Sequence, residues 1–199
     1  IVAVEPDIRP NWQGYLCQLT LSDYVERLRD RLPTKIKGRD FLDRFEDPGD
    51  AMTTVDPDKV YKVRSRTEHH IYENTRAHQF AERLCRAARS HDQIAITEAG
   101  ELMYASHWSY GQRCGLGGIE TDRLVNLLRA EGPATGILGA KVSARGAGGT
   151  VVVLHTDTDG AREAIRRATD QYARLTDLDP RIFAGTSPGA GAWGVHEIG

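Results

Sequence analysis

The stretch Gly139-Ala-Lys-Val-Ser-Ala-Arg-Gly-Ala-Gly-Gly-Thr-Val-Val-Val-Leu154 carries the strongest fold signal in the chain. Of the eleven residues 139–149, four are glycine and three are alanine. Glycine permits positive φ and the close approach of another backbone or a ligand. The β-branched run that ends this stretch predicts a buried strand over 150–155, and the residues before the loop predict another over 136–143. The pattern therefore predicts two strands joined by a glycine-rich loop.

This loop differs from the familiar phosphate-binding loops, which run from a strand through glycines into a helix whose N-terminus holds the anion. Here a second strand follows the glycines, and neither a GxGxxG match nor the Walker pattern is present. An anion would have to be held by a nest of backbone N–H groups without a helix dipole. Taken alone, the residues favour a hairpin turn over a ligand site.

Composition excludes several classes of protein. The 199 residues are 40% hydrophobic and 27% charged, as expected of a soluble globular protein, and the net charge of −2 gives no basic excess for nucleic acid. No apolar run approaches the roughly 20 residues that span a membrane. Three widely spaced cysteines, Cys17, Cys85 and Cys114, indicate reduced thiols in a cytoplasm rather than disulfides or a zinc site. Because the chain starts at Ile1 with no signal peptide, we expect a segment of a longer polypeptide.

The remaining pattern predicts a helical front half followed by an antiparallel sheet. Residues 1–20 are predicted to be a connecting segment. Two long consecutive helices are predicted across 68–108, with a break near Ser90-His91-Asp92, and they should form an antiparallel pair. Further helices are predicted over 23–31, 37–45, 121–131 and 161–175, and further strands over 181–184 and 193–198. The fold class is therefore α+β, with a ferredoxin-like antiparallel sheet of about four strands and helices packed on one face.

The titratable residues give no reaction by themselves. His69, His70 and His78 lack the HxxxH and HExxH spacings of zinc sites, so no metal site is predicted. His107 is interpreted as a packed, hydrogen-bonded residue. Cys114 precedes a predicted helix, which can lower a thiol pKa, but a small residue in a tight turn is the favoured interpretation. No Ser-His-Asp or Cys-His pairing can be recognised from spacing.

Several stretches together resemble the C-terminal half of the GHMP sugar kinases. The loop at 139–149 resembles their third motif, written G-A-K/R-hydrophobic-T-G-x-G-x-G-G. Residues 101–110 and 121–125 are similar to galactokinase segments, and the resemblance is greater still to the arabinokinase branch of the family. Three segments resemble that branch, at residues 71–74, 110–118 and 180–194. The resemblance as a whole covers about residues 14–199.

The resemblance implies an α+β GHMP kinase C-terminal domain over residues 21–199. It implies an ATP-dependent sugar-1-kinase that uses ATP and Mg²⁺ and transfers the γ-phosphoryl group to the anomeric hydroxyl of a monosaccharide. The first and second GHMP motifs and the aspartate base are not found in these 199 residues. By this resemblance the monosaccharide and ATP are bound through an N-terminal domain outside the chain, no catalytic residue lies within it, and the fragment alone is inactive.

The resemblance also implies a set of residues beside the phosphates. These residues border the phosphate loop of the other domain: Ser143, Ala144, Arg145, Gly146, Ala147, Gly148 and Gly149. Ser143 stands where the motif prefers threonine and keeps the hydroxyl. Ala144 and Arg145 stand where glycines are usual, and a guanidinium there would add a charge that pairs well with phosphate oxygens.

Two other hypotheses stay open on the sequence. One is a non-catalytic ferredoxin-like module that binds a small molecule or mediates oligomerisation. The other is a relative that has lost kinase activity, which the substitutions at Ala144 and Arg145 allow. The sequence specifies neither the sugar nor the oligomeric state.

Overall fold

The computed structural model describes residues 14–45, 52–143, 149–185 and 192. Within them six α-helices and four strands follow one another, with two 3₁₀ turns at Leu16–Gln18 and Pro133–Thr135. The bounds are α1 Leu21–Asp23, β1 Ile36–Lys37, α2 Gly38–Phe45, β2 Val60–Tyr61, α3 Val63–Ser90, α4 Gln93–Ser109, α5 Ile119–Glu131, β3 Ile137–Val142, β4 Val151–His155 and α6 Asp159–Thr176. Helices α1 and α4 each continue as a π-helical turn, at Tyr24–Leu28 and Tyr110–Cys114.

Helices α3 and α4 form the predicted pair, and the chain breaks between them for local reasons. His91 ends α3 in the left-handed conformation with φ 51°. The Asp92 carboxylate then caps α4 by accepting the backbone N–H groups of Ile94 and Ala95 at 2.9 and 3.0 Å. The predicted break near Ser90-His91-Asp92 is therefore confirmed.

Strands β3 and β4 form the predicted hairpin, but β4 is partly exposed and not buried as predicted, with Val152 47% exposed. They pair antiparallel, with Val142 opposite Val151 and Ala140 opposite Val153, and an irregularity lies between Ile137 and Gly139. Beyond the last pair, the Ser143 N–H donates to the Thr150 carbonyl at 2.9 Å. This bond closes the base of the glycine-rich loop, whose two ends therefore lie side by side.

Strand β3 contacts α4, α5 and α6. Its Ile137 and Ala140 are buried in one core cluster with residues from these three helices, namely Tyr104, Val125, Leu128, Ala164 and Ala168. Helix α4 approaches β3 closely at Gly100, where an added Cβ would lie 1.9 Å from the Leu138 carbonyl oxygen. The contact between α4 and β3 is therefore a backbone-to-backbone contact that requires glycine.

A second core cluster joins the front of the chain to α3. It consists of Leu19, Tyr24, Leu28, Leu32 and Ile71. Strands β1 and β2 pair antiparallel in a separate sheet of two strands, with Ile36 opposite Tyr61.

The α+β class is confirmed, but the described residues form two separate two-stranded sheets instead of one sheet of about four strands, and one predicted strand is wrong. Residues 181–184 form no strand, and Ile182 and Phe183 are 52% and 84% exposed. A strand needs a ladder partner and a buried face, and β-propensity supplies neither. The predicted strand over 193–198 lies outside the described residues. In the described ranges, no helix combines the length and apolar character needed to cross a membrane.

Candidate functional site

A cavity of about 410 Å³ lies where α3, α4, β3 and β4 meet, next to the point where the glycine-rich loop leaves β3. One part of its lining is polar and another part is apolar. The polar part includes His69, Glu73, Arg76, Ser106, Tyr110, Lys141 and Ser143, and the apolar part includes Phe80, Leu102, Met103 and Val152. The volume falls within the range of about 300–1,000 Å³ that is usual for ligand pockets. Converging polar groups beside an apolar wall are typical of a small-molecule site.

The polar groups form one hydrogen-bonded network across three elements. Glu73 on α3 accepts hydrogen bonds at Oε1 from the Ser106 hydroxyl of α4 and from Lys141 Nζ of β3, the latter at 3.3 Å. Lys141 Nζ also donates to Ser106 Oγ at 2.6 Å. The other carboxylate oxygen of Glu73 pairs with the guanidinium of Arg76, one turn along α3. Both oxygens of Glu73 are thus engaged.

The electrostatics of the network favour a charged Glu73. Burial alone would raise the pKa of this carboxyl, but the hydrogen bond from Ser106 and the charges of Arg76 and Lys141 outweigh it, so that the pKa is lowered. Burial lowers the pKa of His69, whose Nδ1 lies 3.0 Å from the hydroxyl of Ser109, so its imidazole is neutral at pH 7. Among the described residues, the charged groups that line the cavity are therefore two cationic side chains and one carboxylate.

His107 fixes the end of β3 from the side of α4. The Val142 backbone N–H donates to His107 Nδ1 at 3.3 Å, so the ring proton is on Nε2, which donates to Asp122 Oδ1 at 3.2 Å. Burial lowers the pKa of His107, and the neighbouring Asp122 carboxylate opposes this effect. The interpretation of His107 as a packed, hydrogen-bonded residue is confirmed, and its partner is the backbone next to Ser143.

The site residues predicted from the sequence are only partly placed by the structure. Ser143 lines the cavity, and Gly149 adopts φ +67° just before β4. The intervening residues Ala144, Arg145, Gly146, Ala147 and Gly148 lie outside the described residues. Cys114 is buried, and burial raises the pKa of its thiol, which agrees with a small residue in a tight turn.

Four polar residues of the cavity were missed by the sequence reasoning. Glu73, Arg76, Ser106 and Lys141 are separated by up to 68 positions in the chain, so no local spacing relates them. Lys141 is the basic residue of the third motif. Glu73 lies in the segment that resembles arabinokinases, and Ser106 lies in a segment that resembles galactokinases. Lys141 offered one signal, because it is a charged residue in a strand whose other residues are buried, and a charged residue there needs a polar partner.

Comparison with known proteins identifies the family. Residues 77–174 match the family model described as GHMP kinases C terminal. The matched residues run from α3 through α4, α5 and the β3–β4 hairpin into α6, and so include most of the elements that line the cavity. Residues 77–174 are therefore a GHMP kinase C-terminal domain.

Two relatives show where in this family the chain falls. It is 36% identical over 190 residues to an L-arabinokinase of Arabidopsis thaliana, an alignment that covers 92% of this chain and 18% of that protein. It is 28% identical over 155 residues to a galactokinase of Lactococcus lactis subsp. cremoris, which covers 74% of this chain and 36% of that protein. The resemblance to arabinokinases and galactokinases is confirmed, and the chain spans well under half the length of either relative.

Proposed function

We propose that this chain is the C-terminal part of an ATP-dependent sugar kinase that transfers the γ-phosphoryl group to the anomeric hydroxyl of a monosaccharide. The observation that carries the proposal is the position of Ser143. The chain is similar to an L-arabinokinase over 92% of its length. Its loop that resembles the third GHMP motif begins beside a cavity lined by the positively charged side chains of Arg76 and Lys141. Both relatives are sugar kinases by name.

Phosphoryl transfer depends mainly on positioning and on stabilisation of the charge on the phosphoryl oxygens. In the proposed enzyme the residues from Ser143 to Gly149 border the phosphates of ATP, and the hydroxyl of Ser143 and the loop N–H groups are the donors. The environment at Gly149 fits this role, because the position is exposed and a Cβ there would meet no atom of the described residues within 4 Å. The backbone is thus open to a ligand at this end of the loop.

ATP and Mg²⁺ are the proposed cofactors of the intact enzyme. When bound, Mg²⁺ would neutralise charge on the nucleotide phosphates. No group of three metal-ligating side chains occurs within residues 14–45, 52–143 and 149–185. The proposal assigns phosphate contacts to this chain, and it assigns no Mg²⁺ ligand among the described residues.

The remaining functions are proposed to belong to a separate N-terminal domain. The chain covers 18% of the L-arabinokinase and 36% of the galactokinase, which supports residues 21–199 as one domain of a larger enzyme. In this proposal the other domain binds the monosaccharide and supplies the catalytic base. A cytoplasmic location is also proposed, supported by three cysteines that are all unpaired.

The experiment is a kinase assay on the full-length polypeptide that contains this segment. ADP release is measured with ATP, Mg²⁺ and a panel of sugars that includes L-arabinose and galactose, because these are the substrates named by the relatives. We expect turnover with one or more of these sugars, and a product that carries phosphate on the anomeric oxygen.

The purified 199-residue chain is the matched comparison in the same assay, and we expect it to release no ADP. Turnover by this chain alone would show that the base is not confined to another domain. If the full-length protein binds ATP but phosphorylates no sugar, the kinase proposal fails, and the non-catalytic module becomes the better description.

A further inference from the structure

We propose that Arg76 and Lys141 bind a phosphoryl group inside the 410 Å³ cavity, with Glu73 and Ser106 as the residues that position them. Only the identity of the natural ligand rests on the proposed kinase function. The site itself is inferred from the charge, hydrogen bonding and shape of the cavity.

The first argument is the charge balance. Within the part of the chain that the structure describes, two cationic side chains and one carboxylate line the cavity, and the histidine beside them is neutral at pH 7. This leaves one uncompensated positive charge in the cavity of a chain whose net charge is −2. A salt bridge that served stability alone would need one cation for its carboxylate, whereas Glu73 has two. An anion would restore neutrality.

The second argument is the supply of hydrogen-bond donors. Lys141 Nζ carries three N–H donors, and the structure directs two of them at Ser106 and Glu73. Arg76 carries five donors and engages Glu73 through one terminal nitrogen. Both side chains therefore keep donors for a further acceptor, and their heads are held in place by Glu73 before any ligand arrives. Charge-assisted hydrogen bonds from such groups to phosphate oxygens are short and strong.

The third argument is the position of the network within the cavity. The side chain of Arg76 is 13% exposed and that of Lys141 is 34% exposed, so both are partly shielded from water yet reachable. Ion pairing is stronger under partial burial than on an open surface. Ser143, the first residue of the glycine-rich loop, lines the same cavity. Phe80, Leu102 and Met103 supply an apolar wall for the part of the ligand that is not phosphate.

A phosphoryl group could come from a nucleotide or from a sugar phosphate, and the test separates these two sources. The 199-residue chain is titrated calorimetrically with inorganic phosphate, with ATP in the absence of metal, and with a sugar 1-phosphate. We expect saturable binding of one phosphoryl group per chain, weakened by added salt because the interaction is ionic. Tighter binding of ATP or of the sugar phosphate identifies the source.

Variants locate the site. Lys141→Ala and Arg76→Ala should each weaken binding by about tenfold or more, since each removes charge-assisted hydrogen bonds to the phosphoryl oxygens. Lys141→Arg keeps the charge and should retain most of the affinity. Arg162→Ala removes a cation of α6 that lies outside the cavity and pairs with Asp157 in the turn before the helix, so it should leave binding unchanged. Thermal unfolding of each variant excludes a loss of binding that reflects a loss of fold.

The results that would overturn the inference are separate from those that would overturn the kinase proposal. Absence of saturable binding for all three probes overturns it, as does binding that Lys141→Ala and Arg76→Ala leave unchanged in folded protein. Either result can coexist with sugar phosphorylation by the full-length polypeptide. Conversely, if phosphate binding depends on Lys141 but the full-length polypeptide has no kinase activity, the phosphoryl site is supported and the kinase proposal is rejected.

Discussion

Replacement of Gly100 by alanine should separate α4 from β3 and disturb the candidate site from a distance. The added Cβ would lie 1.9 Å from the Leu138 carbonyl oxygen and 2.4 Å from the Leu138 carbonyl carbon. Both are backbone atoms, so no side-chain rotation relieves the contact. The helix or the strand has to move by about 1 Å, and such overpacking costs roughly 1–3 kcal/mol.

The magnitude follows from two opposing effects. Alanine has a higher helix propensity than glycine by about 1 kcal/mol, which offsets part of the clash. Because a backbone carbonyl cannot give way cheaply, we expect the upper end of the steric cost and a net loss of about 2 kcal/mol in the free energy of unfolding. For a chain of this size that loss lowers Tm by about 4–8 °C.

The assay is urea and thermal unfolding monitored by circular dichroism. Gly111→Ala is the matched control, because Gly111 lies in the π-helical turn that continues α4 and a Cβ there would meet nothing within 4 Å. The control should be neutral or slightly stabilising. Ser106 lies about 9 Å further along α4 from Gly100, so its hydrogen bond with Lys141 should also weaken in Gly100→Ala. A variant as stable as the wild type would refute the close backbone contact.

The other predictions concern a helix cap and two titrations. Asp92→Ala removes both N-cap bonds of α4 and the ion pair with Arg86, and it should lower the urea midpoint, whereas Asp170→Ala at an exposed position should leave the midpoint almost unchanged. The lowered pKa of Glu73 means that its stabilising effect is complete above the ordinary value of 4.5 and is lost as pH falls through the folded-state pKa. The stability difference between wild type and Glu73→Gln should therefore shrink at acid pH, and a constant difference would contradict the network. Because burial lowers the pKa values of His69 and His107, the wild type should lose stability as pH falls below 6.5, and His107→Gln should show a shallower loss.

Local sequence signals predicted the helices and the hairpin well. The α3–α4 break is set by Asp92, whose carboxylate satisfies the free N–H groups of the next helix, and this is a local interaction. The strands on either side of the glycine-rich loop are adjacent in the chain, so their pairing also needs little long-range information. Residues 181–184 have strand-like composition but lack a paired neighbour in the described structure, which is why the composition misled.

The candidate site also has a part that the sequence predicted and a part that only the tertiary structure revealed. The sequence by itself indicated the family, through the third motif and the similar segments around it, and it predicted that Ser143 borders the phosphate loop of another domain. Only the tertiary structure brought Glu73 and Arg76 of α3, Ser106 of α4 and Lys141 of β3 into one network. These residues come together because Gly100 lets α4 approach the backbone of β3 closely, and that contact cannot be deduced from spacing along the chain. The physical reason is that a charge network depends on distances of about 3 Å between side chains, which packing sets and sequence order does not.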